Sequence, residues 1–507
     1  MIAGNPISAP SARRPGLRGA MLGFLGVLAV SACPAVNAAA PLGFDDARHL
    51  LNRTSLAAAP EDIAAFGRLT RQQAVDRLLA AAPGGAITPP PAWVDEPFQS
   101  LRRFRTMSAE ERKLAQREVF QRSFELQSWW LTEFLATRAP LAEKMTLFWH
   151  NHFVTSFQKV RSPQLLYRQN VLLRGHALGN FGELLRAVAR DPAMLIYLDN
   201  AISRKEQPNE NFARELMELF TLGEGNYSEQ DVKEAARAFT GWSVEPETGE
   251  FLFRQPAHDG GVKTVLGRTG SFDGSAVLDI LLAQPQTAEF VAGKLWREFV
   301  SPVPDPVEVR RIARAFRESG YDIRTALKAL LVSDAFYAPQ NRAALIKSPI
   351  ELVVGTLRQF DFRTGEVLPF VVTANQLGQR LFAPPNVKGW PGGEAWINST
   401  TFLARKAFLE RLFRVEELRA MPVGEMAGGM EQQLAALRLA PGQERYLRAM
   451  QNVHFDASQW LARLNGGEAG AVQRVLLATG PAAPAAPGMQ GMDLIRQLTQ
   501  DAAYQLK

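Results

Sequence analysis

Ser108, with Glu111 three residues later, is the pair that closes the open start of an α-helix. The hydroxyl accepts from the third helical N–H while the carboxylate reaches back to the serine's own N–H. It predicts a long helix running toward Ala136. The same punctuation recurs along the chain. Asn180 stands three residues before Glu183, and Ser228 three before Asp231, opening a helix to about Phe239. Asp273 and Asp322 read as caps, and Ser348-Pro349 places proline at a first helical position, where its missing N–H costs nothing. Strand signals are sparse. Gly249–Phe253 and Val262–Leu266 have strand composition and are expected to pair as one short hairpin around the loop holding His258 and Asp259. The expected fold is therefore mainly α: a large multi-helix body with at most a short β-hairpin near His258. No repeat of fixed period argues for a solenoid.

The chain is 507 residues long, with 46% hydrophobic and 21% charged residues, an apolar share that excludes a mainly disordered chain. Its one cysteine, Cys33, excludes an intramolecular disulfide, a cysteine zinc cluster and a CxxC redox pair. The basic surplus of +6 is modest and evenly spread, so no nucleic-acid partner is read.

Residues 1–40 read as a secretory signal. Arg13, Arg14 and Arg18 precede an uncharged stretch from Gly19 to Ala32, and Val36–Ala40 supplies small residues for cleavage. The twin arginines lack the usual polar and large apolar followers. Val30-Ser31-Ala32-Cys33 resembles a lipobox, so lipidation at Cys33 and cleavage near Ala38–Ala40 both stand open. The product is expected in the periplasm or outside the cell. No later stretch has transmembrane length, and removing the leader takes three arginines and no acids. The body divides into a helical domain over 41–412, a helical extension over 413–479, and an Ala/Pro linker with a terminal helix over 480–507.

Several segments carry chemistry. In Trp149-His150-Asn151-His152-Phe153, both faces of the expected helix are largely apolar, so it is read as buried. Residues two apart on a helix diverge by roughly 200°, so His150 and His152 grip one ion only if the helix breaks. Hydrogen-bonded core histidines are the bland alternative. In Asn209–Phe220 one face carries an apolar stripe and another carries Asn211, Glu215 and Glu218, with Arg214 beside them. That face is either a solvated ion-pair ladder or the wall of a polar cavity, with Glu215 as base or ligand. His258-Asp259-Gly260-Gly261 suits ligand or metal contact, and is equally a plain Asp-Gly turn. Pro384–Gly393, then Trp396, is a rigid loop whose Trp390 and Trp396 either stack on a flat ligand or pin the loop to the core. There is no GxSxG elbow, P-loop, HExxH, GxGxxG or CxxCH, which counts against the common hydrolase, kinase and dinucleotide classes.

Taken together, KMTLFWHNHF (Lys144–Phe153), HALGNFGELLRAVARDPAMLIYLDN (His176–Asn200), PNENFARELMELFTLG (Pro208–Gly223), EAARAFTGW (Glu234–Trp242), HDGGVKTVLG (His258–Gly267), KLWREFV (Lys294–Val300), IKSPIELVVGTLR (Ile346–Arg358) and PPNVKGWPGG (Pro384–Gly393) are specific. On them the chain resembles the bacterial family known as domain of unknown function 1800, over nearly all of the mature chain to about Leu412. It departs at Asn52-Arg53-Thr54-Ser55, where such proteins carry an arginine- and glycine-rich stretch. The resemblance implies a large, mainly helical exported protein and brings no established reaction. It also implies, by association, an exported partner similar to sulfatases and alkaline phosphatases.

Two readings follow. The first is a metal-assisted hydrolase or lyase acting on an envelope or extracellular polymer. His150, His152, Glu215 and His258 would hold a divalent metal, and Arg214 and Asp259 would assist. Asn211, Trp390 and Trp396 would touch the polymer. The second is a non-catalytic assembly or binding factor for the sulfatase-like partner.

Overall fold

Each capping signal marks the start of a helix in the computed structural model, which describes residues 40–80, 85–96, 106–420, 452–464 and 466–507, with 415–420 by backbone alone. The leader with Cys33 lies outside the described residues. Helix α1 (Gly43–Thr54) turns Ala47, Leu50 and Leu51 inward. Its Arg53 is fully buried and donates to the carbonyls of Phe299 and Val300 (3.0 and 2.8 Å) and of Asn341 (2.6 Å). Helix α2 (Ala109–Ala136) starts with both bonds of the Ser108–Glu111 box. Its first half is largely solvated, and Leu126, Trp129, Trp130 and Phe134 bury its second half.

Helix α3 (Pro140–His152) is buried almost from end to end, as its two apolar faces require. It packs between α1 and α4 (Pro163–Gly175), and α4 also touches α2. Helix α5 (Glu210–Glu215), opened by Asn209, runs into a π-helical turn over Leu216–Thr221. Helices α6 (Glu229–Ala238), α7 (Pro285–Phe299) and α8 (Pro349–Gln359) follow, the last buried on nearly every side. Helix α9 (Ser399–Ala420) packs against α10 (Gly491–Gln500), tying the end of the chain to the body. Among the described residues no helix is long and apolar enough to cross a membrane.

The mainly helical expectation holds, and among the described residues strands are confined to three two-stranded antiparallel sheets. The pairing near His258 differs from the one expected. Strand β1 (Trp242–Val244) pairs with β2 (Phe251–Phe253), and β3 (Lys263–Val265) with β4 (Arg268–Gly270). The two strand-like segments thus belong to different hairpins. The second turns through Leu266 (φ 47) and Gly267 (φ 75), the doubly left-handed geometry of a tight hairpin. Leucine is a poor residue there. The Leu266 N–H is held by the Asp231 carboxylate at 2.7 Å, a contact supplied by α6. The third pair is β5 (Arg363–Thr364) with β6 (Val453–His454).

Candidate functional site

His150 and His152 sit on one regular helix and face different neighbours. His150 belongs to a buried chain of polar groups between α3 and α4. Glu143 accepts from Arg174 Nε (2.6 Å) and Nη2 (3.0 Å) and from Trp130 Nε1 (3.1 Å). Arg174 also donates to the Asn170 side-chain oxygen, so the Asn170 amide nitrogen must face His150 Nε2, at 3.0 Å. A donor there makes His150 an acceptor and therefore neutral. Burial, then the Arg174 charge, pushes its pKa down to about 3.

His152 closes the end of the π turn. Its Nε2–H donates to the Phe220 carbonyl at 3.1 Å, leaving Nδ1 to accept from Lys294 Nζ at 3.1 Å. Lys294 also donates to the Leu219 carbonyl at 3.0 Å. These carbonyls lie in the last turn, where helices lack internal donors. Burial and the Lys294 charge hold His152 neutral, well below its usual pKa, and burial then Arg297 push the Lys294 amine down to about 7.

The remaining candidates are dispersed. Arg214 grips Glu229 on α6 through two bonds (2.6 and 2.7 Å) at the surface, and so does not orient Glu215. Asn211 donates from its side chain to the Leu198 carbonyl at 3.3 Å and from its backbone to Asn209, fastening the start of α5. Glu215 is half-buried; burial first, then the Glu218 charge, raises its pKa. His258 shares its Nδ1 with the Thr240 carbonyl at 2.9 Å, and Asp259 is clamped by Arg237 Nε at 2.7 Å. Asp259 also accepts from the Gly261 N–H, so the His-Asp-Gly-Gly segment is a pinned turn. Among the described residues no group of three or more His, Cys, Asp or Glu side chains stands close enough to hold a metal ion. His150, His152, Glu215 and His258 are not brought together as a ligand set.

What the fold does bring together is a different part of the same motifs. The loop after Pro384 lands on α3: Asn151 Oδ1 accepts the Trp390 N–H at 2.7 Å. Gly389 (φ +92) is needed at this crossing, because a Cβ would sit 2.9 Å from the Asn151 carbonyl oxygen and closer still to Oδ1. Trp390 and Trp396, 5% and 6% exposed, pin the loop and wall one side of a cavity of about 120 Å³. At its floor lie Lys144 from α3, Glu298 from α7, Glu351 from α8, and Lys507. Lys144 and Lys507 both bind Glu351 Oε1, and lie 3.4 and 3.9 Å from Glu298. The other Glu351 oxygen caps α8 through the Ser348 N–H at 2.8 Å.

Cations outnumber carboxylates here. Burial opposes the charge on Glu351, yet Lys144 and Lys507 outweigh it and hold the carboxyl far below its usual range. Burial likewise opposes the Lys144 ammonium, and Glu351 with Glu298 keeps it above its usual value. Lys507 is pushed down to about 8, mainly by burial. Behind them Lys347, Arg53 and Arg405 also feel Glu351, and burial lowers Lys347 to about 7.

A wider groove of about 1080 Å³ runs between Thr88–Trp93, α2 and Val367–Val372. Its Glu125 is already held by Trp93 Nε1 (2.7 Å) and Gln121 (2.8 Å), and Trp93 and Trp129 are 6% and 5% exposed. Its carboxylate is thus paired and both its tryptophans are buried, so the smaller cavity, with its ion cluster, is the stronger candidate. Sequence reading missed Lys144, Glu298, Glu351 and Lys507, although the first three lie inside quoted motifs. The available signal was charge embedded in otherwise apolar helices.

No curated protein and no solved structure matches the chain. One family model does, over residues 49–505, past Leu412 where the resemblance read from the sequence ends and across every cavity residue but Lys507. By that match the chain belongs to the family described as "Protein of unknown function (DUF1800)".

Proposed function

We propose that the chain is an exported bacterial binding factor that holds one polar group of an extracellular polymer, or of an exported sulfatase-like partner, in the cavity beneath Trp390. One observation carries this reading. Motif segments far apart in sequence, Lys144–Asn151, Lys294–Glu298, Ile346–Glu351 and Gly389–Trp396, converge on that cavity. The signal-like sequence of residues 1–40 supports export. The separate tethering of His150, His152 and Asp259 favours a binding role over metal-assisted hydrolysis. Lys507, an amine near pKa 8 beside two carboxylates, gives a hydrolytic or lyase reading its best remaining support.

The test uses two glycines whose Cβ would meet nothing within 4 Å: Gly392 at the mouth of the cavity, and Gly365 in the wider groove. The purified chain is co-sedimented with envelope polymer from the producing bacterium. Retention of the unaltered chain and of Gly365→Trp, with loss for Gly392→Trp, is the expected pattern. Loss on blocking the groove alone, or no retention of the unaltered chain, would overturn the reading.

A further inference from the structure

We propose that the cavity is an anion site that takes a single oxyanion group, phosphate, sulfate or carboxylate, against Arg297, Trp390 Nε1–H and the amides of Asn151 and Gln379. This rests on the binding reading and names its ligand class.

The argument is an account of donors and acceptors. The oxygens of both amides are committed to backbone N–H groups: Asn151 Oδ1 to Trp390 at 2.7 Å, and Gln379 Oε1 to Ile350 at 2.9 Å. Their orientation is thereby fixed, and each keeps its NH2 donors. Trp390 Nε1 is buried and has no hydrogen-bond partner, in a side chain only 5% exposed that lines the cavity. A buried donor left unpaired is destabilising, so a built wall with such a donor favours whatever brings it an acceptor. Arg297 lies at the exposed rim with its guanidinium in no ion pair among the described residues. On the acceptor side the lining's side-chain carboxylates have little left. Both oxygens of Glu351 are taken, and Glu298 faces two ammonium groups. Lys144, Lys507 and Arg297 stand against Glu298 and Glu351 in the lining, with Lys347, Arg53 and Arg405 behind. A wall rich in donors and cations, its carboxylates already paired, complements a group that supplies acceptors and negative charge. The volume of about 120 Å³ has room for one such group.

The purified chain is titrated with sodium phosphate, sodium sulfate and sodium acetate against sodium chloride at matched ionic strength, reading heat and melting temperature. Binding of at least one oxyanion above chloride is expected. Arg297→Gln should weaken it about tenfold, the loss of one charge-assisted hydrogen bond. Trp390→Phe, which keeps the ring packing, should weaken it about threefold to tenfold, and Gly392→Trp should abolish it. Sulfate binding should tighten from pH 8.5 to 6.5, because sulfate keeps its charge while Lys507, near 8, and Lys347, near 7, gain protons, facing Lys144, Glu298 and Glu351 with Arg53 and Arg405 behind. Dextran sulfate distinguishes the source. Competition by dextran sulfate assigns the group to a polymer, and competition by inorganic sulfate alone assigns it to a free ion. No preference over chloride, or binding indifferent to all three variants, would overturn the anion site. Envelope polymer retained through Gly392 without any oxyanion effect would leave the binding reading standing and this inference fallen. Oxyanion binding without polymer retention would do the reverse.

Discussion

The loop over residues 384–393 contains three glycines, and their side-chain-free positions have unequal value. Gly389 passes over the Asn151 side chain with φ +92, while Gly392 has open space where a Cβ would be. Gly389→Ala should therefore cost about 2–4 kcal/mol, combining a strained left-handed φ with displacement of the Asn151–Trp390 bond. Gly392→Ala should stay within about 0.5 kcal/mol. Urea unfolding midpoints check both, and equal midpoints would refute the crossing. The same scale explains His150 and His152. Their two-residue spacing already spoke against one shared ion, and the partners that make each neutral, Asn170 and Lys294, come from other helices.

The π turn at Leu216–Thr221 is the element whose sequence and structure differ most in appearance. From the spacing alone Phe212, Leu216, Leu219 and Phe220 form one stripe. The wider turn leaves Leu219 half-buried and presents the Leu219 and Phe220 carbonyls to Lys294 and His152. Gly223 (φ +82) then ends it. Lys294→Met removes the donor to the Leu219 carbonyl and to His152 Nδ1, so stability should fall by about 1–3 kcal/mol. Hydrogen exchange of the Leu222 and Gly223 amides, which bond back to the Met217 carbonyl, should accelerate in the variant. Unchanged exchange there would show that the turn holds without its cap. Helix starts with a side-chain cap, by contrast, were legible. A cap is a contact between residues three apart, so Ser108, Asn180, Ser228 and Ser348 announce themselves locally.

At the scale of the whole molecule, buried titratable groups set an acid limit. His49 and His150 are pushed down to about 3 by burial, and His152 lies well below its usual value. Each has a lowered folded pKa. Below about pH 6.5 the unfolded chain binds a proton that the fold refuses, and stability falls by roughly 1.4 kcal/mol per pH unit for each histidine. Asp191 has the opposite sign. Burial raises it to about 7, so the fold binds a proton between pH 7 and about 4 that the unfolded chain does not. It offsets one histidine. The net loss is roughly 3 kcal/mol per pH unit between pH 6 and 4, comparable over that span to a typical domain's whole stability. Circular dichroism should show cooperative acid unfolding in that window. Stability flat from pH 7 to 4 would contradict the neutral burial of these histidines.

The sequence by itself determined the helical class, the capped helix starts, the burial of α3 and the family. Caps and apolar periodicity act over three or four residues and are written in neighbouring positions. It did not determine the strand partners near His258, because hairpin register there depends on a left-handed Leu266 held by Asp231 on another helix. Nor did it determine the site. Lys144 meets Glu351 across 207 positions, and Lys507 meets Glu351 across 156. A buried ion cluster has no local period, since its energy comes from bringing distant charges together out of water. Only the packing of α3, α7 and α8 beneath the Trp390 loop decides which charges share the cavity.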